Sequence, residues 1–133
     1  AEQLMARIEQ AASGLESPTA ALHALFTAHI EFVSEHPGVP RMLFGVLQKP
    51  GPSPAKRLAQ SLLEIYAARL QGLIERAKAL GEVDPELDAR AAVLLFIGSI
   101  QGLVMQSMMA GDILHIQRNA PSVFALYLRG IRA

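Results

Sequence analysis

Apolar residues recur along this chain at spacings of three and four, the period of an α-helix with one face turned inward. The first run places Leu4, Met5, Ile8 and Ala12 on one side and predicts a helix that Gly14 ends. Ser17-Pro18 reads as an N-cap followed by proline in the first helical position, where no amide proton is needed. From there Leu22, Leu25, Phe26, His29, Phe32, Val33 and His36 form a second stripe. Pro37 closes it, because proline lacks an amide proton and steers the preceding residue away from helical torsions. Gly38-Val39-Pro40 is expected to form a stiff corner, with a short helix from Arg41 to Leu47. The segment KPGPSP, 49–54, predicts a loop. Ser53-Pro54 repeats the cap-and-proline signal. The long helix after it puts Leu58, Leu62, Ile65, Tyr66, Leu70, Leu73, Ala77 and Leu80 on one face, and Gly81 stops it. Asp84-Pro85 predicts another start, with Glu86 and Asp88 in its first turn against the positive end of the helix dipole. A terminal helix is expected from Val123 to Ile131, with Pro121 in its first turn or kinking it. Nothing alternates with period two over a useful length, so the chain reads as one all-α domain, 1–133.

Residues 91–110, AAVLLFIGSIQGLVMQSMMA, carry no charge. Their length suits a bilayer span, and GSIQG is the GxxxG pattern of close-packed membrane helices. Ser99, Gln101, Gln106 and Ser107 argue against lipid, where each polar side chain is costly. Neither an aromatic belt nor a basic flank brackets the run. A helix buried around its circumference in a soluble assembly is therefore expected. Ala91, Leu94, Leu95, Gly98, Gly102, Met105 and Met109 project on one face, and Val93, Phe96, Ile100, Leu103, Val104 and Ser107 on the other. A domain of this size hardly covers both. The glycine face, which lets another backbone approach, is assigned to a symmetric second subunit and the opposite face to the domain's own core. Coverage of both faces by one chain is the alternative.

Composition narrows the function. The chain has 133 residues and is 51% hydrophobic, enough for one real core. Twelve Lys and Arg balance twelve Asp and Glu, whereas a nucleic-acid surface ordinarily shows a basic excess. The lack of cysteine excludes a disulfide framework and a thiolate metal site, and agrees with a reducing cytosol. No charged leader with a short apolar core opens the chain, which begins in mid-pattern without Met and reads as part of something longer. His29 and His36 lack the i, i+4 pairing or convergent carboxylates of a metal site. No GxSxG elbow, P-loop, dinucleotide fingerprint or metalloprotease motif occurs. Neither metal, cofactor nor enzymatic activity is expected.

HPGVPRMLFG follows an amphipathic helix, ERAKALGEVDPELDARAAVLLFIGSIQGLVMQ follows a long one, and FALYLRGI comes near the end. This order resembles the C-terminal effector-binding and dimerisation domain of the tetracycline-repressor-like (TetR/AcrR) family of bacterial transcription regulators, over essentially the whole chain. The acidic, proline-containing helix start, the helix through Gln101-Gly102-Leu103 and the Tyr127 to Ile131 ending carry most of the likeness. The resemblance implies an antiparallel bundle of about six helices in a cytoplasmic homodimer, clear of any membrane. Its last two long helices would pair with their twofold mates in a four-helix bundle. Phe124, Tyr127, Leu128 and Ile131 thereby join Leu94, Leu95, Gly98, Gly102, Met105 and Met109 at the expected seam. The resemblance also implies that a small effector enters each subunit and shifts the spacing of two DNA-reading heads. The N-terminal helix-turn-helix of such regulators is missing here, so DNA contact would fall to that absent domain.

Phe26, Phe32, Met42, Phe44, Leu62, Phe96, Ile100, Val104 and Met108 are candidates for the apolar wall of a small-molecule cavity. Tyr66 is the leading candidate for a ligand contact, because a buried hydroxyl needs a partner. His29 is placed at the core edge or in the pocket wall. Burying an unpaired amide costs about 1–3 kcal/mol, so Gln101 and Ser107 are expected to find partners in the pocket or across the dimer. A rigid corner would fix where Met42, Leu43 and Phe44 point and pass on a ligand-driven shift. The plainer reading is that its prolines merely end one helix and start the next. The expected ligand is small and largely apolar. The alternative is a helical protein–protein interaction module that dimerises through the same glycine face and has no cavity.

Overall fold

Serine and aspartate side chains set where the helices begin. The computed structural model describes residues 2–112 and 114–132, so the expected domain limits Ala1 and Ala133 lie outside the described residues. Six helices are α1 (Glu2–Ala12), α2 (Pro18–Glu35), α3 (Gly38–Gln48), α4 (Pro54–Ala79), α5 (Ala89–Ala110) and α6 (Leu114–Ile131), with no strand among the described residues. Ser17 accepts a hydrogen bond from the Ala20 amide at 3.2 Å, and Ser53 accepts one from the Lys56 amide at 3.1 Å. Each satisfies an amide that the first helical turn leaves without a carbonyl, and each is followed by the expected proline.

Two expected starts shift. Asp84 does not open α5. Its carboxylate accepts from the Glu86 amide at 2.9 Å, and its own amide donates to the Ile131 carbonyl at 3.0 Å, which holds it in a loop. Asp88 is the cap instead, accepting from the Ala91 amide at 3.1 Å, so Glu86 lies outside the helix. The last helix starts not at Val123 but at Leu114, whose amide Asp112 caps at 3.0 Å, and it runs through Pro121. Ile116, Ala120 and Phe124 are buried along one side of it. Packing on both sides of the proline keeps the helix whole despite the missing amide. Gly111, at φ +67 in the left-handed region, turns the chain from α5 into α6.

The corner is tighter than Gly38-Val39-Pro40. Only His36 leaves helical torsions, at φ −129 and ψ 65, and Pro37 is already helical at φ −66 and ψ −19. The expected corner residues form the first turn of α3, where proline's fixed φ fits and its missing amide costs nothing. His36 folds back over Phe32 with ring centroids 4.6 Å apart.

α2, not α5, is the helix surrounded inside the subunit: α1, α4, α5 and α6 all pack against it. Its buried residues accordingly include Ala21, Ala28 and Ile30 besides the expected stripe. At the core Phe96 meets Phe26 edge-on at 5.6 Å and Tyr127 at 5.7 Å, and the Tyr127 hydroxyl donates to the Ala92 carbonyl at 2.7 Å. α4 buries only its second half, Tyr66, Leu70, Leu73, Ile74 and Ala77. Leu58, Ile65 and Leu80, expected on the same inner stripe, are 61%, 56% and 62% exposed. Leu58 and Ile65 lie in the part of α4 beside or next to α3, which buries no residue of its own, and Leu80 is the residue that caps the helix end.

One end of the bundle is laced by polar contacts. Glu82 accepts from the Ser17 hydroxyl at 2.8 Å, the Thr19 amide at 3.0 Å and the Thr19 hydroxyl at 2.7 Å. The Thr19 backbone bond, ahead of its hydroxyl, holds the Glu82 carboxyl below its ordinary pKa.

Candidate functional site

α2 and α4 bring two polar side chains together at the edge of the core. His29 Nδ1 lies 2.9 Å from the Tyr66 hydroxyl, and either atom donates according to the imidazole tautomer. Tyr66 is 5% exposed and its ring also meets Phe96 edge-on. Burial pushes the His29 pKa down to about 4 and the Tyr66 pKa up. Both groups are therefore neutral near pH 7.

This pair carries a pH prediction. The folded-state pKa of His29 lies below its ordinary 6.5, so the unfolded chain binds more protons between about pH 4 and 6.5. Stability is full above that window and falls as pH drops through it, by up to about 3 kcal/mol at 1.36 kcal/mol per unit. Urea midpoints between pH 7 and 4 measure the loss. His29→Gln keeps a hydrogen-bonding group without titrating, and is expected to flatten the profile across that window.

Among the described residues the expected cavity wall packs largely as core. Phe26, Phe32, Phe96, Ile100 and Val104 are at most 4% exposed and pack as core. Phe44, Leu62 and Met108 are half-buried at its margin. Met42 is 67% exposed, and Gln101 lies on the exposed side of α5, so both stand away from any pocket. The physical reason is the interlocking of the Phe26, Phe96 and Phe124 rings, which fill the space a ligand would need.

Open space lies elsewhere. A cleft of about 290 Å³ opens where the α2–α3 corner faces the α5–α6 turn. Val33, Val104, Met108 and Ile116 form its apolar wall, and Arg41, Ser107 and Asp112 its polar part. Of the sequence candidates only Val104, Ser107 and Met108 reach it. Arg41 and Asp112 carry no motif of their own in the sequence, although Asp112 follows the chain-turning Gly111. No group of three or more His, Asp or Glu comes together among the described residues to hold a metal.

The two faces of α5 separate as their spacing predicts. Ala92, Val93, Phe96, Ile100, Leu103, Val104 and Ser107 are buried. Leu94, Leu95, Met105 and Met109 are 67%, 56%, 42% and 80% exposed. A Cβ added at Gly98 or Gly102 would meet nothing within 4 Å. α5 is apolar and long enough to cross a membrane, with mean hydropathy 1.6, but one face of it lines the core. On α6 the expectation needs correcting. Phe124, Tyr127 and Ile131 are 4%, 4% and 3% exposed, and Leu128 is half-buried against the core. This stripe turns toward α2, where Phe124 stacks on His23 at 4.8 Å, so its buried side chains serve the subunit's own core. Leu126, 68% exposed, points outward instead.

Residues 18–123 match a protein-family model described as the tetracyclin repressor-like, C-terminal domain. The solved structure of a TetR transcriptional regulator from Chloroflexus aurantiacus J-10-FL matches with a TM-score of 0.76 at 16% sequence identity. The match covers 92% of this chain and 63% of that one, and it is a likeness of fold. No curated protein is significantly similar in sequence.

Proposed function

Because the chain belongs to the tetracyclin repressor-like C-terminal domain family, we propose that it is the regulatory part of a cytoplasmic transcription regulator. In this reading it is a homodimer, has no catalytic role, and senses a small, largely apolar effector for a DNA-reading head beyond these residues. The observation that carries the proposal is the uncharged outer face of α5, where Leu94, Leu95, Met105 and Met109 stand exposed around two glycines. Water is a poor neighbour for such a face, and a twofold copy of itself is a good one.

The effector would enter beneath α3, which buries nothing of its own and can lift from α4 at low cost. Its anchor would be His29 and Tyr66, a neutral pair able to give or take a hydrogen bond. Such an anchor suits an uncharged molecule with one hydroxyl or carbonyl. Removing the hydroxyl in Tyr66→Phe is expected to weaken effector binding about three- to tenfold, the weight of one neutral hydrogen bond. Titration calorimetry with the ligand that a screen identifies reads this directly. Movement of α3 reaches α1 through neighbouring contacts. Arg7 pairs with Glu35 at 2.7 Å and lies over the Phe32 ring at 5.9 Å, next to the corner.

A thermal-shift screen of neutral apolar molecules tests the sensing role. A stabilising hit supports it. The closed core favours the second reading, a dimerising interaction module without a cavity, and silence across a broad library would establish that one instead. The chain itself is expected to show negligible affinity for duplex DNA at physiological salt, in keeping with its zero net charge. Fluorescence anisotropy with labelled duplex checks this.

A further inference from the structure

We propose that the cleft between the α2–α3 corner and the α5–α6 turn binds a small amphipathic monocarboxylate. The proposal does not rest on the sensing role assigned to His29 and Tyr66. At about 290 Å³ the cleft lies at the small end of ligand sites, which suits a short aliphatic or aromatic tail. Val33, Val104, Met108 and Ile116 line it from three helices, and methionine adapts to the shape of an occupant.

Among the described residues two polar side chains in the cleft wall make no hydrogen bond or ion pair. Ser107 is the buried polar residue of the core at 5% exposed, and among the described residues its hydroxyl makes no hydrogen bond. Other helical serines here bond back to their own helix: Ser34 donates to the Ile30 carbonyl at 2.8 Å, and Ser99 to the Leu95 carbonyl at 2.7 Å. The Ser107 hydroxyl instead forms part of the cleft wall, where a ligand can reach it. The second group is Arg41, which makes no ion pair among the described residues. The one carboxylate in the lining, Asp112, is already engaged by Arg118 and the Leu114 amide. A guanidinium without a counter-charge and a hydroxyl in the wall of the same cleft match a carboxylate, which can take two parallel bonds from arginine and a third from serine. The apolar wall then takes the tail.

Octanoate, octanol and acetate, titrated into the full chain by calorimetry, test the assignment. Octanoate is expected to bind saturably, one per subunit, with octanol about tenfold weaker or more for the lost charge-assisted hydrogen bond, and acetate about tenfold weaker or more for the lost apolar tail. Arg41→Gln should bring octanoate down to the octanol level, and Ser107→Ala should weaken it several-fold. Arg41 is exposed, so its replacement leaves the fold intact, as circular dichroism verifies. Tyr66→Phe should leave octanoate binding unchanged, which distinguishes this cleft from the site beneath α3. Equal binding of octanoate and octanol would overturn the proposal. So would undiminished octanoate binding in Arg41→Gln, or no saturable binding at millimolar concentration.

Discussion

Leu94→Glu is expected to turn the assembled protein into single subunits while leaving the subunit folded. Leu94 is 67% exposed within the subunit, so no core contact depends on it. A twofold seam along α5 meets the substitution twice, once from each copy. Each buried carboxylate without a partner costs several kcal/mol, and at 1.4 kcal/mol per factor of ten the dissociation constant should rise about a thousandfold or more. Analytical ultracentrifugation over a wide concentration range reads the change, and circular dichroism verifies the fold. Leu58→Glu, equally exposed but on α4, serves as the control and should leave assembly alone. An unaltered assembly in Leu94→Glu would move the seam off α5. A parent protein that sediments as one subunit at every concentration would remove the seam altogether.

Phe96→Ala should be the most destabilising single change in the core. Phe96 is 0% exposed, and its ring meets Phe26, Tyr66 and Tyr127 edge-on. Truncation removes the transfer energy of the ring and leaves a cavity that three aromatic neighbours on different helices cannot close. Such changes cost about 3–5 kcal/mol, against about 5–15 kcal/mol for a whole domain. The urea midpoint should fall with little change in slope. Phe44→Ala, at the half-buried margin, should cost clearly less. Equal losses at the two positions would mean that the core extends under α3. Phe96 and Leu94 lie two residues apart on opposite faces of one helix, so the first variant reports on folding and the second on assembly.

Local chemistry was legible in the sequence and pairing across distance was not. Ser17-Pro18 and Ser53-Pro54 announced their helices because capping is settled within four residues. The two faces of α5 followed from spacing alone, since a helix fixes which side chains point together. Asp84-Pro85 misled for an instructive reason: an aspartate caps whichever amide lies nearest, and here that belonged to a turn. The α6 stripe of Phe124, Tyr127 and Ile131 was visible as a stripe. Periodicity cannot say whether such a stripe faces its own core or a second molecule, and the fold turned it inward. A pocket wall is ambiguous in sequence for a related reason. Phenylalanine, isoleucine and valine are what a cavity wall needs and equally what fills a core. His29 and Tyr66 were each singled out, but their contact spans 37 residues of chain and only the packing of α4 on α2 makes it. Arg41 and Ser107 became informative only once the corner and the α5–α6 turn faced each other.

Glu82 binds Ser17 and Thr19 at the start of α2, and the Asp84 amide meets the last turn of α6 beside it. The opposite extremity has a single-residue bend and a helix that buries nothing, and among the described residues it is joined by exposed ion pairs such as Arg7 with Glu35. A lever pinned at one tip swings most at the other. The threonine–glutamate clasp thus holds one tip of the subunit, and the start of α1 rests against the other, through Arg7 on Glu35.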